Sequence, residues 1–296
     1  MKIGYFLLML VYSTACISQG NTALPSKNAK NNTLLWEISG KGLTKSSYVF
    51  GTFHLLCKDD IHFSTALKDA VAGSEDVYLE LDMDDPATLM SGMMLMGMKD
   101  GKKLKDLYNA ESYARLAAYF KDSLNTPIGL LQGIKPEFLV AFLYPKMMPC
   151  SSSTSVEEAI MQLAKAGKKE VKGLETMAFQ ASLFDSIPYE KQAEELLNAI
   201  DSMEKSKKYF QLMLTAYKNQ RLDEIEKIVN SDESGFEENQ DMLLDKRNRN
   251  WVAQLKNIMR SNPVFIAVGA GHLVGKAGLI ALLRAEGYTV RPVENR

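Results

Sequence analysis

Short apolar runs alternate along this chain with longer stretches in which apolar residues recur at helical spacing. Runs rich in β-branched and aromatic residues predict strands, and apolar positions three and four residues apart predict helices. The strand pattern occurs at residues 34–38, 47–53, 76–81, 170–176, 264–268 and 288–292. Strands that alternate with helices in this way predict an α/β domain with a central mixed sheet.

The middle of the chain, residues 84–255, is predicted to be mostly helical. Helical periodicity recurs there at residues 111–124, 156–166, 188–214, 222–230 and 242–259. Two more helices are predicted outside this region, at residues 64–72 and 277–286. We expect the large helical middle region to cover whatever site the sheet carries.

The first residues have the pattern of an export signal. A cationic start is followed by an apolar stretch at residues 5–11 and by small residues before Cys16. Residues 1–20 are therefore predicted to be a signal peptide, and residues 21–33 a flexible polar tether ahead of a domain at residues 34–296. Cys16 also fits a relaxed lipobox, in which the lipidated cysteine attaches the mature protein to a membrane.

Export predicts a periplasmic, envelope-anchored or extracellular protein. No later stretch reaches the roughly 18 apolar residues of a membrane span, so no transmembrane helix is expected in the mature chain. Lys and Arg number 35 against 36 Asp and Glu, and they are scattered along the chain. Without a basic stripe, nucleic acid is not an expected partner.

After processing at Cys16 or beyond, Cys57 and Cys150 are the only thiols free to pair. In an oxidising compartment an even pair more often forms a disulfide than stays free. A disulfide between them is therefore predicted. The alternative is that Cys57 is a thiolate metal ligand beside His54.

Two of the three histidines occupy the same frame, Gly-x-x-His, directly after a predicted strand. Gly51 precedes His54, and Gly269 precedes His272. Ligand crevices of open α/β sheets lie beyond the carboxyl ends of strands, so the two imidazoles can meet in one crevice. Such a crevice suits a metal or acid–base chemistry, whereas the alternative is two unrelated core or capping histidines. The third histidine, His62, has no such frame and is expected at the surface.

Two glutamates also stand at strand ends. Glu80 interrupts the apolar strand at residues 76–81, where it is either solvent-facing or a ligand or base in the same crevice. Glu175 ends the strand at residues 170–176 and is either a second site carboxylate or a charge at the start of the following helix. The pair Arg247 and Asn248 belongs to a charged cluster that is either a solvated helix face or a contact for an anionic substrate group.

The order of these motifs resembles the TraB/GumN family, which includes the TIKI metalloproteases. The motifs are residues 48–54, 77–82, 173–176, 247–248 and 265–275, and together they extend over essentially the whole predicted domain. The resemblance implies an α/β domain with an internally duplicated core. It also implies a divalent-metal site built from the two Gly-x-x-His motifs and the strand glutamate, with peptidase activity in characterised members.

These residues are consistent with hydrolysis. His54, Glu80 and His272 are the predicted metal ligands, and Glu80, Glu175, Arg247 and Asn248 the predicted catalytic residues. A divalent ion, Mn, Co, Zn or Fe, lowers the pKa of bound water, and a glutamate outside its coordination shell then accepts the proton. We therefore predict a secreted or envelope-anchored metal-dependent hydrolase that acts on a peptide or protein. The alternatives are a non-catalytic peptide- or glycan-binding envelope protein and a metal-free, esterase-like hydrolase that uses His54, His272 and Glu80.

Overall fold

A computed structural model describes residues 32–231 and 239–296. The predicted signal, Cys16 and all but the last two residues of the predicted tether lie outside the described residues. Thr33, at the end of that tether, is buried. Its hydroxyl donates to the carbonyl oxygen of Val293 at 2.7 Å, so Thr33 already belongs to the packed domain.

Six strands form one mixed sheet, and two very short strands form a separate pair. In chain order the strands are β1 (Leu35–Ser39), β2 (Ser47–Thr52), β3 (Leu56–Cys57), β4 (Asp76–Leu81), β5 (Ser153–Thr154), β6 (Glu170–Glu175), β7 (Val264–Gly269) and β8 (Thr289–Pro292). The large sheet has the order β6-β4-β7-β2-β1-β8, and β3 pairs with β5. Strands β6, β4, β7 and β2 run parallel, whereas β1 is antiparallel to both β2 and β8.

Helices occupy most of the chain between β4 and β7. In chain order the α-helices of the described ranges are α1 (Thr65–Gly73), α2 (Pro86–Leu95), α3 (Ala110–Asp122), α4 (Pro136–Val140), α5 (Tyr144–Met147), α6 (Val156–Ala166), α7 (Met177–Asp185), α8 (Tyr189–Asp201), α9 (Met203–Lys218), α10 (Leu222–Val229), α11 (Lys246–Ser261) and α12 (Leu279–Ala285). None of them is both long and apolar enough to cross a membrane. The predicted α/β class with a central mixed sheet is confirmed.

The burial of the strands explains their sequences. Five of the six residues of β7, a central strand, are buried, as expected for a parallel strand covered on both faces. In β4 only alternate residues are fully buried, and Glu80 lies on the less buried face. The parallel strands therefore bring polar side chains to their carboxyl ends while their middles form the core.

Two predicted helices are divided. The helix predicted at residues 188–214 is interrupted at Ser202, whose backbone (φ −109°, ψ 30°) is not helical, and α9 continues to Lys218. The helix predicted at residues 242–259 begins with a π-helical turn, Asp241–Asp245, before α11. Apolar periodicity continues across both points, so it does not reveal a local change of backbone.

The predicted disulfide between Cys57 and Cys150 is confirmed. The two residues are 93 apart in sequence, and their Cα atoms lie 6.0 Å apart. Cys57 is in β3, and Cys150 lies a few residues before β5. The bond therefore joins β3 to the segment that leads into β5.

Candidate functional site

The carboxyl ends of four neighbouring parallel strands carry the residues that the sequence singles out. His54 follows β2, Glu80 lies near the end of β4, Glu175 ends β6 and His272 follows β7. Carboxyl ends of parallel strands meet at one edge of a sheet. The two motifs are also in direct contact. A Cβ atom on Gly51 would lie 3.1 Å from the Cα of Ala270, which is closer than carbon atoms usually pack, so glycine allows the second turn to approach closely.

Arg247, on α11, lies at the centre of this edge. Its Nε donates to Glu175 Oε1 and Oε2 at 3.1 and 3.0 Å, and Nη2 donates to Glu80 Oε2 at 2.6 Å and to Glu175 Oε2 at 2.8 Å. Nη1 donates to the carbonyl oxygen of Leu243 and contacts Nε2 of His272 at 3.1 Å. One guanidinium thus joins residues from three strands.

The charged cluster around Arg247 is divided between a buried and an exposed side of α11. Arg247 and Asn248 are each only 1% exposed, and Trp251 and Leu255 on the same helix are also buried. The guanidinium has two carboxylates, Glu80 and Glu175, as partners. Lys246 and Arg249 are exposed, so the interpretation as a solvated face holds for them and is wrong for Arg247 and Asn248. A substrate contact of Arg247 and Asn248 stays a prediction.

His272 is held as a neutral imidazole. The Nδ2 of Asn248 donates to the carbonyl oxygens of Ala277 and His272, which turns its Oδ1 toward the ring. Nδ1 of His272 lies 2.7 Å from that Oδ1 and is therefore the protonated nitrogen. Nε2 must then accept from Arg247, since a guanidinium only donates. Burial, aided by the charge of Arg247, lowers the pKa of His272 to about 3.

Glu80 is an ionised carboxylate within the protein. Burial alone would raise its pKa, but Arg247 and the two histidines outweigh burial and hold the pKa well below its usual range. Its Oε1 accepts the backbone N–H of Gly269 at 2.8 Å and lies 3.7 Å from His272 Nε2. Gln180, on α7, donates to Glu80 and Glu175 at 3.4 and 3.2 Å.

His54 differs from His272 in what its ring contacts. Nδ1 of His54 lies 2.8 Å from Oε1 of Glu157, in the first turn of α6. Within the described ranges, Nε2 of His54 has no hydrogen-bond partner. A small open pocket lies beside the ring, and its lining residues are His54, Leu79, Glu80, Leu81, Met83, Ser155, Glu157 and Gln180. Of the two motif histidines, only His54 lines this pocket.

The charge of His54 depends on Glu157. Burial lowers the pKa of the imidazole, but the adjacent carboxylate of Glu157 outweighs this effect and raises the pKa to about 9. Conversely, the pKa of Glu157 is lowered by His54 despite its burial. Near neutral pH the two residues therefore form an ion pair at the pocket wall.

Sequence reasoning missed Glu157 and Gln180. Glu157 stands next to Glu158 at the start of a helix, where acidic residues are common for reasons of helix electrostatics alone. Gln180 lies within a helix and belongs to no motif. The only signal that could have pointed to Glu157 is its position just after the Ser155 cap, and Glu158 shares that signal.

The side chains do not fit the predicted divalent ion in their present arrangement. Nε2 of His272 and both oxygens of Glu80 already accept hydrogen bonds, and the positive guanidinium of Arg247 lies between them. In residues 32–231 and 239–296, no three His, Cys, Asp or Glu side chains are grouped to hold a metal ion. A metal at His54, Glu80 and His272 thus stays a prediction.

The His54–Glu157 pair should make stability depend on pH. The pKa of His54 is raised from 6.5 to about 9. The contribution of the ion pair to the free energy of unfolding is therefore complete below pH 6.5 and is lost as pH rises through 9. We expect the free energy of unfolding in urea to fall by about 2 to 3 kcal/mol over this range. His54→Asn should flatten the dependence, and His62→Asn, at an exposed position, should not. An unchanged slope in His54→Asn would contradict the ion pair.

The fold and site define a mixed α/β protein with a buried carboxylate–guanidinium–imidazole cluster at the ends of its parallel strands. The chain belongs to the TraB/PrgY/gumN family, whose model matches residues 34–292. An uncharacterized protein of Treponema pallidum (strain Nichols) is 22% identical over 298 residues, which cover 94% of this chain and 88% of that protein. No solved structure matches the chain significantly.

Proposed function

We propose that this chain is a hydrolase of peptide or ester carbonyls, with His54 as its acid–base group and Glu157 as the residue that orients it. The observation that carries this proposal is the difference between the two motif histidines. Nδ1 of His54 contacts a carboxylate while its Nε2 is free at an open pocket. Such a carboxylate–imidazole pair fixes the ring and stabilises the imidazolium that forms when it takes a proton.

In the proposed reaction, a water molecule in the pocket attacks the carbonyl carbon of the substrate. The water proton passes to Nε2 of the unprotonated fraction of His54, and Glu157 stabilises the resulting imidazolium. When the bond between the carbonyl carbon and the leaving nitrogen or oxygen breaks, Nε2 returns the proton to the leaving group. The water oxygen stays with the acyl product, so no other reactant is needed.

Glu80 supports this reaction from the pocket lining, and His272 supports it indirectly from outside the pocket. Oε1 of Glu80 accepts the Gly269 N–H and keeps a lone pair with which it can accept a hydrogen bond from the attacking water. His272 contacts Arg247 and Asn248 with its two ring nitrogens, so its role is to position Arg247. Arg247 in turn fixes Glu80 in its ionised form.

The family resemblance also implies a divalent ion, which would supply an activated hydroxide if it bound. Among the three predicted ligands, His272 Nε2 accepts from Arg247, and Glu80 Oε2 is paired with the same guanidinium. For this reason the proposal assigns no step to a metal, and metal dependence is tested directly instead.

The test is hydrolysis of a panel of fluorogenic peptides and esters by the purified protein, before and after treatment with EDTA. We expect turnover that EDTA leaves unchanged and that His54→Gln lowers by about 100-fold or more. Turnover that EDTA removes and that Mn, Co or Zn restores would instead support a metal-dependent peptidase. If no substrate is cleaved under either condition, the hydrolase proposal fails and a non-catalytic binding protein is the better interpretation.

Export is part of the proposal. The Cys57–Cys150 disulfide is compatible with an oxidising compartment, where such bonds persist. Lipidation of Cys16 would attach the domain to a membrane through the predicted tether. Mass analysis of the mature N-terminus from cells that express the full chain distinguishes a lipidated Cys16 from simple cleavage near residue 20.

A further inference from the structure

The small two-stranded sheet pairs the chain segment that follows His54 with the segment that precedes Glu157. His54 comes two residues before β3, and Glu157 comes three residues after β5. The strands are antiparallel, with Leu56 opposite Thr154 and Cys57 opposite Ser153. The distance between the imidazole and the carboxylate therefore depends on how well these two strands stay paired.

Backbone pairing in this sheet is minimal. Each strand has two residues, and the flanking hydrogen bonds are those from Lys58 N to Ser152 O at 3.1 Å and from Val156 N to Phe53 O at 3.2 Å. Isolated pairs of strands are at best marginally stable in water, even when they are longer than these. The two segments are also distant in the chain, so their association loses much conformational entropy. The disulfide offsets this loss by joining them covalently.

The elements on either side are anchored independently of the disulfide. Phe53, next to His54, packs its ring 5.8 Å from that of Phe210 and 5.1 Å from that of Tyr217. On the other side, α6 buries Val156, Ile160 and Ala164. Loss of the disulfide should therefore leave the domain folded. Any movement is then confined to the short segments at β3 and β5, where the backbone pairing is minimal.

We propose that the Cys57–Cys150 disulfide is a positioning element for His54, because it holds the imidazole against Glu157. This proposal rests on the proposed function, since it assigns the pair a role in hydrolysis. Reduction by a dithiol transfers two electrons and two protons to the protein, which gives two cysteine thiols and the oxidised, cyclic dithiol. Small displacements of a catalytic group reduce rates strongly, so the reduced protein should be a poor catalyst.

The first test compares wild-type protein with the double variant Cys57→Ala/Cys150→Ala in the hydrolysis assay. We expect kcat to fall by about 10- to 100-fold with KM nearly unchanged and with the circular dichroism spectrum retained. In a Glu157→Gln background, the same double change should cause little further loss of kcat. The carboxylate against which the disulfide holds His54 is already absent there. If kcat of the combined variant falls by the product of the two separate losses, the proposal is overturned.

A second measurement separates this proposal from the proposed function. The ring N–H signals of His54, in protein labelled with ¹⁵N-histidine, report the contact with Glu157 whether or not the protein is a hydrolase. Reduction of folded wild-type protein by a dithiol should move these signals toward those of the Glu157→Gln variant. This measurement tests the proposal even if the double alanine variant does not fold. Unchanged signals after complete reduction would overturn the positioning role. A clear shift without any hydrolysis would refute only the proposed function.

Discussion

His54→Gln should lower kcat/KM for hydrolysis by about 10²- to 10⁴-fold, the usual contribution of a general acid–base group. Glutamine is similar in size to histidine and can still contact Glu157, but its amide cannot accept and return a proton near neutral pH. The ring lies beside an open pocket and not in the centre of the core. The variant should therefore stay folded, and initial rates on the best substrate of the wild-type protein provide the measurement.

The other two histidines supply matched controls for this result. His62→Gln alters an exposed position and should leave both rate and stability unchanged. His272→Ala should mainly destabilise the protein, by about 1 to 3 kcal/mol for each buried group left unpaired, because Asn248 and Arg247 both lose a partner. If His54→Gln kept most of the activity while His272 remained essential at full stability, the assignment of the two histidines would be reversed.

Arg247→Met should lower the free energy of unfolding by about 3 to 5 kcal/mol. Methionine fills a similar volume, but it leaves two carboxylates, Glu80 and Glu175, next to each other without their common cation. Removal of one partner from a buried ion pair leaves an uncompensated charge, which costs far more than the intact pair contributes. Urea unfolding, followed by circular dichroism, measures the loss.

Two further variants show whether this loss comes from the unpaired carboxylates. Arg249→Met, on the same helix, removes an exposed arginine and should change stability by less than about 0.5 kcal/mol. Adding Glu80→Gln and Glu175→Gln to Arg247→Met should recover part of the loss, since the remaining groups are then neutral. No recovery would mean that the loss comes from packing around Trp251, whose ring lies 4.8 Å from the guanidinium.

The six strands of the large sheet and several of the longer helices follow from local patterns in the sequence. The two-residue strands β3 and β5 were not predicted, because they are too short to show a pattern. The strand at residues 76–81 and the helix at residues 156–166 were predicted with the observed bounds. The Cys57–Cys150 pairing was predicted because few cysteines remain in the predicted mature chain. The division of the helix at Ser202 and the π-helical turn before α11 were not predicted, because neither interrupts the apolar periodicity.

The amino-acid sequence by itself determined the family, the six strands of the large sheet and the arrival of His54, Glu80, Glu175 and His272 at one sheet edge. The pattern of hydrophobic residues indicates where each strand ends, and the carboxyl ends of neighbouring parallel strands lie at the same edge of the sheet. Only the tertiary structure decided that His272 is a buried acceptor for Arg247 whereas His54 lines an open pocket beside Glu157. Both histidines have the same local frame, and the difference arises from partners more than 20 residues away in the chain, on helices whose own sequences carry no such signal. A side chain's charge and accessibility depend on those distant partners, which local sequence does not encode.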